Sequence, residues 1–335
     1  MKLASLPQGR DGRLIVVSDD LAWYADADHI VPSMQGLLDD WDRYYPQVEA
    51  LSIELAHGAI PRKRFHEREA CAPLPRAYQW VGSSACGNHS ELMRKPHGAE
   101  LPEAFRSDPL MYQGGSDDLR SAREPVLLAD EAWGCDFEAE VVVVTGDVPQ
   151  GVTPSAALKH VRLIGLVNDV SLRNLVPDEL AKGFGFVQSK PASHFSPVFV
   201  TPDALGDGWA DGKLQRTLMV DLNGDPFGRI DAGEECTFDF GVLIAHLAKT
   251  RSISAGTIIG SGTVSNRDPD GSPGRPVAQG GRGYACIAEQ RMVETIAAGA
   301  PATPFLKWGD NVRIEMRDAK GKSIFGAIEQ SIKPL

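Results

Sequence analysis

The sequence predicts an α+β protein whose larger part is a mixed β structure with few helices. Short apolar runs of β type recur from residue 137 to the end of the chain, and regular helices do not separate them. Apolar residues at helical spacing are concentrated instead over residues 33–57. A doubly wound α/β sheet needs a helix between consecutive strands, so this pattern argues against that fold.

The first 70 residues predict a small α+β unit. Residues 1–30 contain short β-type runs, and two helices are expected over 33–57, with a break near Pro46 because proline lacks the amide hydrogen that a helix interior uses. The charged, proline-bounded stretch 61–75 indicates a linker. We therefore predict a small N-terminal domain over 1–70 and a main domain over 71–335.

The main domain is predicted to consist mostly of strands. Asn223 and Gly224 are typical of a tight hairpin turn, and residues 154–160 and 238–250 are expected to be helical. The glycine- and proline-rich stretch 267–284 predicts a long loop, of the kind that often forms a lid or is disordered. The predicted strands are 137–144, 161–168, 196–200, 217–222, 257–262, 311–316 and 323–333.

Composition restricts the possible partners and location. The 335 residues carry a net charge of −11, which argues against a nucleic-acid or anionic-membrane partner. The N-terminal segment lacks the apolar core of a signal peptide, and no stretch approaches the length of a membrane span. The five scattered cysteines predict reduced thiols in a cytoplasmic protein, without a zinc site or disulfide framework. These are Cys71, Cys86, Cys135, Cys236 and Cys286.

Two carboxylates one residue apart form the most chemically informative feature of the sequence. Glu138 and Glu140 lead into an apolar strand, where alternate side chains share a face, so both carboxylates point the same way. Such a pair is unfavourable against a core unless a cation neutralises it. Asp169 ends another apolar run and offers a third oxygen ligand, a set that suits Mg²⁺, Mn²⁺ or Ca²⁺ and not zinc. For the glutamate pair alone, a solvated strand face is the alternative.

Four other residues are candidates, and three of them have a structural alternative. Arg173 could neutralise excess charge at the site, bind a substrate carboxylate or form a surface salt bridge. Lys190 lies in an uncharged stretch and either extends its charged end to solvent or serves a site. His89 lies among small residues typical of a loop and could be structural. As a general base it would need an orienting carboxylate, which Glu289 could supply.

Taken together, these features resemble the fumarylacetoacetate hydrolase family over about residues 70–333, and the first 70 residues resemble the small domain of some bacterial members. The resemblance implies a mixed β-roll or sandwich core, a homodimer and a divalent metal. Mg²⁺ is the expected ion, with Mn²⁺ or Ca²⁺ as alternatives. The matching segments are 136–140, 167–173, 188–191, 238–263 and 305–315.

The resemblance also implies roles for individual residues. The metal ligands would be Glu138, Glu140 and Asp169. The catalytic residues would be His89, Glu289 and Lys190. The substrate-binding residues would be Arg173, Tyr112 and Thr263. The founding hydrolases have a fourth aspartate ligand where this chain has Gly82, and an open coordination sphere favours Mg²⁺ and argues against strict fumarylacetoacetate specificity.

The expected function is metal-dependent hydrolysis of a C–C bond in a 1,3-diketo acid of the fumarylacetoacetate or acylpyruvate type. Such a reaction belongs to aromatic-compound catabolism, for example tyrosine degradation. The first alternative is a hydratase, decarboxylase or tautomerase of 2-keto acids that uses the same metal-enolate chemistry. The second is a noncatalytic binding protein on the same scaffold. The expected ligand is a small anionic keto acid.

Overall fold

The computed structural model describes residues 1–94 and 103–335. Strands dominate this part of the chain. They are β1 (Lys2–Leu6), β2 (Arg13–Val17), β3 (Trp23–Asp26), β4 (Lys63–Arg64), β5 (Trp80–Ser83), β6 (Met111–Gly114), β7 (Val126–Leu128), β8 (Cys135–Asp136), β9 (Ala139–Thr145), β10 (Val161–Asn168), β11 (Ser171–Leu172), β12 (His194–Phe195), β13 (Phe199–Val200), β14 (Trp209–Ala210), β15 (Lys213–Leu214), β16 (Thr217–Leu222), β17 (Asp225–Asp231), β18 (Ile258–Gly260), β19 (Asn311–Met316) and β20 (Ile328–Pro334).

The helices are short, and most begin or end at a recognisable signal. Asp239 accepts a hydrogen bond from the Val242 amide at the start of the sixth helix, and Gly58 ends the second helix in the left-handed conformation. The α-helices are α1 (Met34–Asp39), α2 (Trp41–His57), α3 (Gly87–Arg94), α4 (Pro154–Ala157), α5 (Val176–Lys182), α6 (Phe240–Leu247) and α7 (Ile287–Ala298).

An 11-stranded sheet forms the centre of the molecule, in the order β4-β3-β2-β1-β13-β10-β9-β18-β5-β6, with β12 paired to β10. The pairing is antiparallel except between β18 and β5. The strands of the first 70 residues therefore extend the same sheet that carries β9 and β10, through the pairing of β1 with β13. The boundary near residue 70 stays a prediction.

Both faces of this sheet are buried, and strand β9 shows why. Val141 and Val143 face one core, whereas Val142 and Val144 face the other. The first core contains residues of a second sheet, ordered β17-β16-β19-β20-β7, and of α6. The second core contains residues of α1 and α2. A continuous run of valines is what a strand buried on both faces requires.

The α+β prediction is confirmed, and most of the predicted strands lie where the sequence indicates. The strands over 161–168, 217–222 and 311–316 have the predicted bounds, and β16 and β17 form the hairpin at Asn223 and Gly224.

Several local predictions need correction. The break between α1 and α2 falls at Asp40, whose backbone leaves the helical region, whereas Pro46 lies inside α2. His89 lies in α3 and not in a loop. The loop over 267–284 is present and is organised around Asp268, which is buried and paired with Arg275.

The cysteine prediction is also wrong for one pair. Cys86 and Cys236 form a disulfide with a Cα–Cα distance of 4.1 Å, across a sequence separation of 150 residues. Cys71, Cys135 and Cys286 are free. The spacing of the cysteines could not show this pairing, because a bridge between antiparallel segments brings the two residues together only in the folded chain. Cytoplasmic location therefore loses the support of the cysteine pattern and stays a prediction. Within the described residues, no helix combines the length and apolar character needed to span a membrane.

Candidate active site

The predicted site residues meet at one end of five neighbouring strands of the main sheet. Strands β10, β9, β18, β5 and β6 lie side by side in that order. Glu140 lies on β9 with Glu138 just before it, Asp169 follows β10, and Thr263 follows β18. Tyr112 lies on β6, and β5 leads into α3. Residues that are far apart in sequence are thus brought together at the same end of these neighbouring strands.

The three predicted metal ligands form a compact cluster. One carboxylate oxygen from each of Glu138, Glu140 and Asp169 can be chosen so that all lie within 4.8 Å of one another. All three residues are buried. The β9–β10 pairing fixes their spacing, because the Asp169 amide donates to the Glu138 carbonyl over 2.9 Å. Oxygen donors at this separation are the ligands that Mg²⁺ and Mn²⁺ prefer.

The net charge of the cluster and its neighbours is what a divalent cation would balance. Asp136, which is fully buried, adds a fourth carboxylate. Two cations face this group: Lys190 lies 2.9 Å from Asp169 Oδ2, and Arg173 lies 2.8 Å from Glu138 Oε1. Four carboxylates against two cations leave two negative charges if all the groups are ionised. An ion of charge +2 would balance them, so the donor set and the charge both fit a divalent metal.

The pKa values of the two glutamates diverge for an identifiable reason. Burial opposes ionisation of Glu138, but the charges of Arg173 and Lys190 outweigh it and hold the pKa of Glu138 below its ordinary value. Burial raises the pKa of Glu140 far above its ordinary value, and the charges of Asp169 and Glu138 raise it further. Glu140 is therefore the ligand whose charge the protein alone leaves unbalanced.

The ammonium group of Lys190 forms hydrogen bonds within the carboxylate cluster and is not directed to solvent. Its ammonium donates to Glu138 Oε1 over 3.2 Å, to the Asp169 carbonyl over 3.1 Å and to Asp169 Oδ2 over 2.9 Å. Burial would lower its pKa, but the charges of Asp169 and Glu138 raise it above the ordinary value. An ammonium has three hydrogens, and all three have acceptors here. A direct role toward a substrate would require one of these bonds to be exchanged.

Arg173 neutralises charge within the site. Its Nε donates to Asp136 Oδ2 over 3.0 Å, while its guanidinium also contacts Glu138. Burial lowers the pKa of Arg173, but the charges of Glu138 and Asp136 raise it above its ordinary value. The sequence left three alternatives open for Arg173. These contacts agree with the first of them, in which Arg173 neutralises excess negative charge at the site. The substrate-binding role of Arg173 stays a prediction.

Tyr112 occupies the space that Gly82 leaves. The two residues are opposite each other on β6 and β5, and a side-chain carbon at position 82 would overlap the Tyr112 ring. The Tyr112 hydroxyl donates to Asp169 Oδ2. Burial raises the pKa of Tyr112, and the charges of Asp169 and Glu140 raise it further, so the phenol remains a donor. At the position where the family resemblance implies a fourth aspartate ligand, the site therefore has a neutral hydroxyl that orients the predicted ligand Asp169.

Other donors orient the carboxylates in the same way. Thr263 Oγ1 donates to Glu138 Oε2 over 3.0 Å, and Ser171 Oγ donates to Glu138 Oε1 over 2.6 Å. Ser193 Oγ donates to Asp169 Oδ1 over 2.8 Å. These contacts limit the rotation of the ligands, as partners behind metal ligands commonly do.

His89 and Glu289 form a hydrogen-bonded pair beside the cluster. His89 Nδ1 lies 2.8 Å from Glu289 Oε1, although the two residues are 200 positions apart. Glu289 is buried, whereas 15% of the His89 side chain is exposed. A carboxylate that accepts from one ring nitrogen leaves the other nitrogen free to take a proton. The pair has the geometry of a general base with its orienting carboxylate.

Asp136 connects this pair to the cluster, and the sequence reasoning did not assign it a role. Its carboxylate accepts from the amides of Ile287 and Ala288 over 2.8 and 3.0 Å, which caps the start of α7. That helix carries Glu289. Asp136 also binds Arg173, so one side chain positions both parts of the site. The signal was available, because Asp136 lies two residues before Glu138 and would point to the same side in a continuous strand.

Comparison with known proteins points to one family. The model of the fumarylacetoacetate (FAA) hydrolase C-terminal region matches residues 83–333, and that of fumarylacetoacetase N-terminal domain 2 matches residues 1–76.

Individual relatives are distant and have different activities. The 2,4-didehydro-3-deoxy-L-rhamnonate hydrolase of Sphingomonas sp. is 27% identical over 177 residues, which cover 51% of this chain and 58% of that protein. The mitochondrial oxaloacetate tautomerase FAHD1 of Bos taurus is 25% identical over 210 residues, which cover 60% of this chain and 87% of that protein.

Solved structures share the fold over the whole chain. The maleylpyruvate hydrolase of Sphingobium sp. SYK-6, solved in complex with manganese (II) ion and pyruvate, superposes with a TM-score of 0.64 at 16% identity. The superposition covers 100% of this chain and 99% of that one. Because the family model spans most of the sequence and the whole fold agrees, the chain belongs to the fumarylacetoacetate hydrolase family.

Proposed function

We propose that this protein is a metal-dependent hydrolase that cleaves the C–C bond of an acylpyruvate-type 1,3-diketo acid. The observation that carries the proposal is the His89–Glu289 pair, 2.8 Å apart, beside the cluster of Glu138, Glu140 and Asp169. Hydrolysis needs a base that activates water and a cation that polarises the substrate carbonyl, and these two groups of residues could supply the base and hold the cation.

A divalent ion held by Glu138, Glu140 and Asp169 would supply Lewis-acid polarisation of the substrate carbonyls when bound. Glu289 keeps His89 oriented through its Nδ1, and the other ring nitrogen removes a proton from water. The resulting hydroxide adds to the acyl carbonyl carbon. The C–C bond then breaks, its electron pair leaves as the enolate of pyruvate, and His89 returns the proton to the enolate carbon. The acyl fragment is released as a carboxylic acid.

The charged and polar groups of the site bind and orient in this scheme. Lys190 balances part of the negative charge of the carboxylates. It is proposed to exchange one of its carboxylate contacts for a contact with the developing oxyanion of the substrate. Arg173 and Thr263 hold Glu138 in place, and Tyr112 holds Asp169. Mg²⁺ as the ion, a homodimer and a role in tyrosine or other aromatic catabolism belong to the proposal as expectations from the family resemblance. A cytoplasmic location belongs to it as an expectation from the sequence.

The test is a product assay on acylpyruvates, fumarylacetoacetate and oxaloacetate, each with Mg²⁺ or Mn²⁺. Hydrolysis splits the substrate into an acid and a keto acid, and mass spectrometry detects both. The His89→Gln variant should lose this activity, while His246→Gln, which alters a histidine on α6, should keep it. Absence of cleavage for the acylpyruvates and for fumarylacetoacetate would contradict the proposal.

A keto–enol tautomerase of a 2-keto acid is the second candidate. It is favoured by the similarity to oxaloacetate tautomerase FAHD1, of which the match covers 87%. Tautomerisation changes the enol absorbance of oxaloacetate without changing any mass, whereas hydration adds one water and decarboxylation removes carbon dioxide. Stabilisation by metal and keto acid without any turnover would instead support a noncatalytic binding protein.

A further inference from the structure

A second cluster of metal-binding side chains lies next to the carboxylate cluster. One ligand atom from each of His89, Cys286 and Glu289 can be chosen so that all lie within 4.8 Å of one another. Cys286 is free and fully buried, and the proposed reaction does not use it. We propose that these three residues form a separate site for a thiophilic divalent cation of the Zn²⁺ class.

The backbone around Cys286 places its sulfur toward the pair. Cys286 is the residue before the first turn of α7, and its side chain makes no capping hydrogen bond. Glu289 follows three positions later, so both side chains lie over the same turn of the helix. His89 reaches this turn from α3, which packs against α7. Two of the three proposed ligands therefore lie on helices, and the third is the residue at which α7 begins.

The ligand types separate this site from the carboxylate cluster. A thiolate, an imidazole and a carboxylate form a set that zinc accepts, with a fourth position left for water. Zinc bonds of about 2.0 to 2.3 Å fit ligand atoms a few ångströms apart, so a small outward shift of His89 from Glu289 would admit the ion. The Glu138, Glu140 and Asp169 cluster offers only oxygen, which suits Mg²⁺ and Mn²⁺.

The electrostatic surroundings keep the thiol protonated until an ion arrives. Burial raises the pKa of Cys286 well above its ordinary value, and the charges of Asp136 and Glu289 raise it further, although Arg173 opposes them. A bound cation would stabilise the thiolate directly. Occupation would also engage the His89 ring, so it is expected to block general-base chemistry.

The test is a titration of the full-length protein with Cd²⁺, a spectroscopically visible substitute for Zn²⁺, in excess Mg²⁺ and without reductant. Binding to a thiolate produces a charge-transfer absorption band in the ultraviolet. We expect one Cd²⁺ per chain with this band, and its displacement by Zn²⁺. The band should be lost in Cys286→Ser and retained in Cys135→Ser, which alters another free, fully buried cysteine.

Two further variants make the test independent of folding defects at position 286. Cys286→Ala should also lack the band, with thermal unfolding as the check on its fold. His89→Gln leaves the sulfur in place and should weaken Cd²⁺ binding by at least the roughly 10–100-fold that loss of an outer partner costs. A band that persists in both Cys286 variants, an affinity unchanged in His89→Gln, or no band in the unmodified protein would overturn the proposal. None of these readouts depends on the proposed reaction.

Discussion

Glu138, Glu140 and Asp169 come from two neighbouring strands, whereas His89 and Glu289 come from two helices and lie 200 residues apart in the chain. The first group is surrounded by donors and cations and still carries excess negative charge if fully ionised. The second is a single hydrogen-bonded pair. The proposed metal binding and the proposed base chemistry therefore involve different residues, so each can be altered while the other is measured.

The largest effect is expected from Glu140→Gln. This change keeps the shape of the ligand but removes the charge that the protein leaves unbalanced. Mn²⁺ affinity, measured by calorimetry or electron paramagnetic resonance, should fall by more than about 100-fold, beyond the effect of losing an outer partner. Without metal, the variant should unfold at a higher temperature than the unmodified protein, because glutamine avoids the cost of a buried carboxyl that must either stay charged near Asp169 and Glu138 or take up a proton.

The matched control is Glu315→Gln. Glu315 is also buried, but it pairs with Arg313 and Arg317 on the second sheet. It should leave Mn²⁺ affinity unchanged and should not stabilise the metal-free protein. If Glu140→Gln bound Mn²⁺ normally, the assignment of the cluster as the metal site would be wrong.

His89→Ala tests the His89–Glu289 pair and should lower the catalytic rate. Loss of a general base typically lowers the rate by about 10²–10⁴-fold, so kcat on the active substrate should fall within that range. Mn²⁺ affinity should change far less than kcat, because the hydrogen bond of His89 is to Glu289, which is not among the three predicted metal ligands. Steady-state kinetics and calorimetry on the same preparation test both expectations. A variant that keeps near-full kcat would remove His89 from the mechanism.

Tyr112→Phe tests whether the hydroxyl replaces a fourth ligand by orienting Asp169. The ring that fills the space beside Gly82 is kept, and only the hydrogen bond to Asp169 is lost. Metal affinity should fall about 10–100-fold, as for other outer partners. Tyr78→Phe, which alters an exposed tyrosine, is the control and should have no effect. An equal affinity in both variants would show that the hydrogen bond does not support the metal site.

A separate effect concerns acid stability on the carboxylate side. His194 pairs with Asn168 next to Asp169, and burial lowers the pKa of His194 to about 4. An unfolded histidine has a pKa near 6.5, so protonation favours unfolding as the pH falls from about 6.5 to about 4. The loss should reach about 3 kcal/mol at the acid end. Urea unfolding across this pH range measures the free energy of unfolding. The loss should appear in the unmodified protein and in His57→Gln, which alters an exposed histidine, and this contribution should be absent in His194→Gln.

Much of the carboxylate cluster could be predicted from the sequence, because the positions of its residues follow from short stretches of the chain. Alternation along a strand puts Glu138 and Glu140 on one side, and the apolar runs before and after them predict β9 and β10. The same reasoning located the hairpin at Asn223 and Gly224. It failed at Pro46, because tertiary packing holds α2 together across a residue that disfavours helices.

The base side was harder because its contacts are not local. The sequence could offer Glu289 to His89, but only the packing of α3 on α7 brings them together, and the small residues around His89 suggested a loop where a helix forms. The Cys86–Cys236 disulfide joins positions 150 residues apart and was missed for the same reason.

By itself the sequence indicated the fold class, the longest strands of the main domain and the candidate oxygen ligands of the proposed metal site, since these follow from periodicity and charge along short segments. Only the tertiary structure decided that Tyr112 fills the gap at Gly82, that Asp136 ties α7 to the cluster, and that Cys286 joins His89 and Glu289. Each of those arrangements depends on which strand or helix lies beside which. That choice is made by packing of the whole core and is not encoded in any one segment.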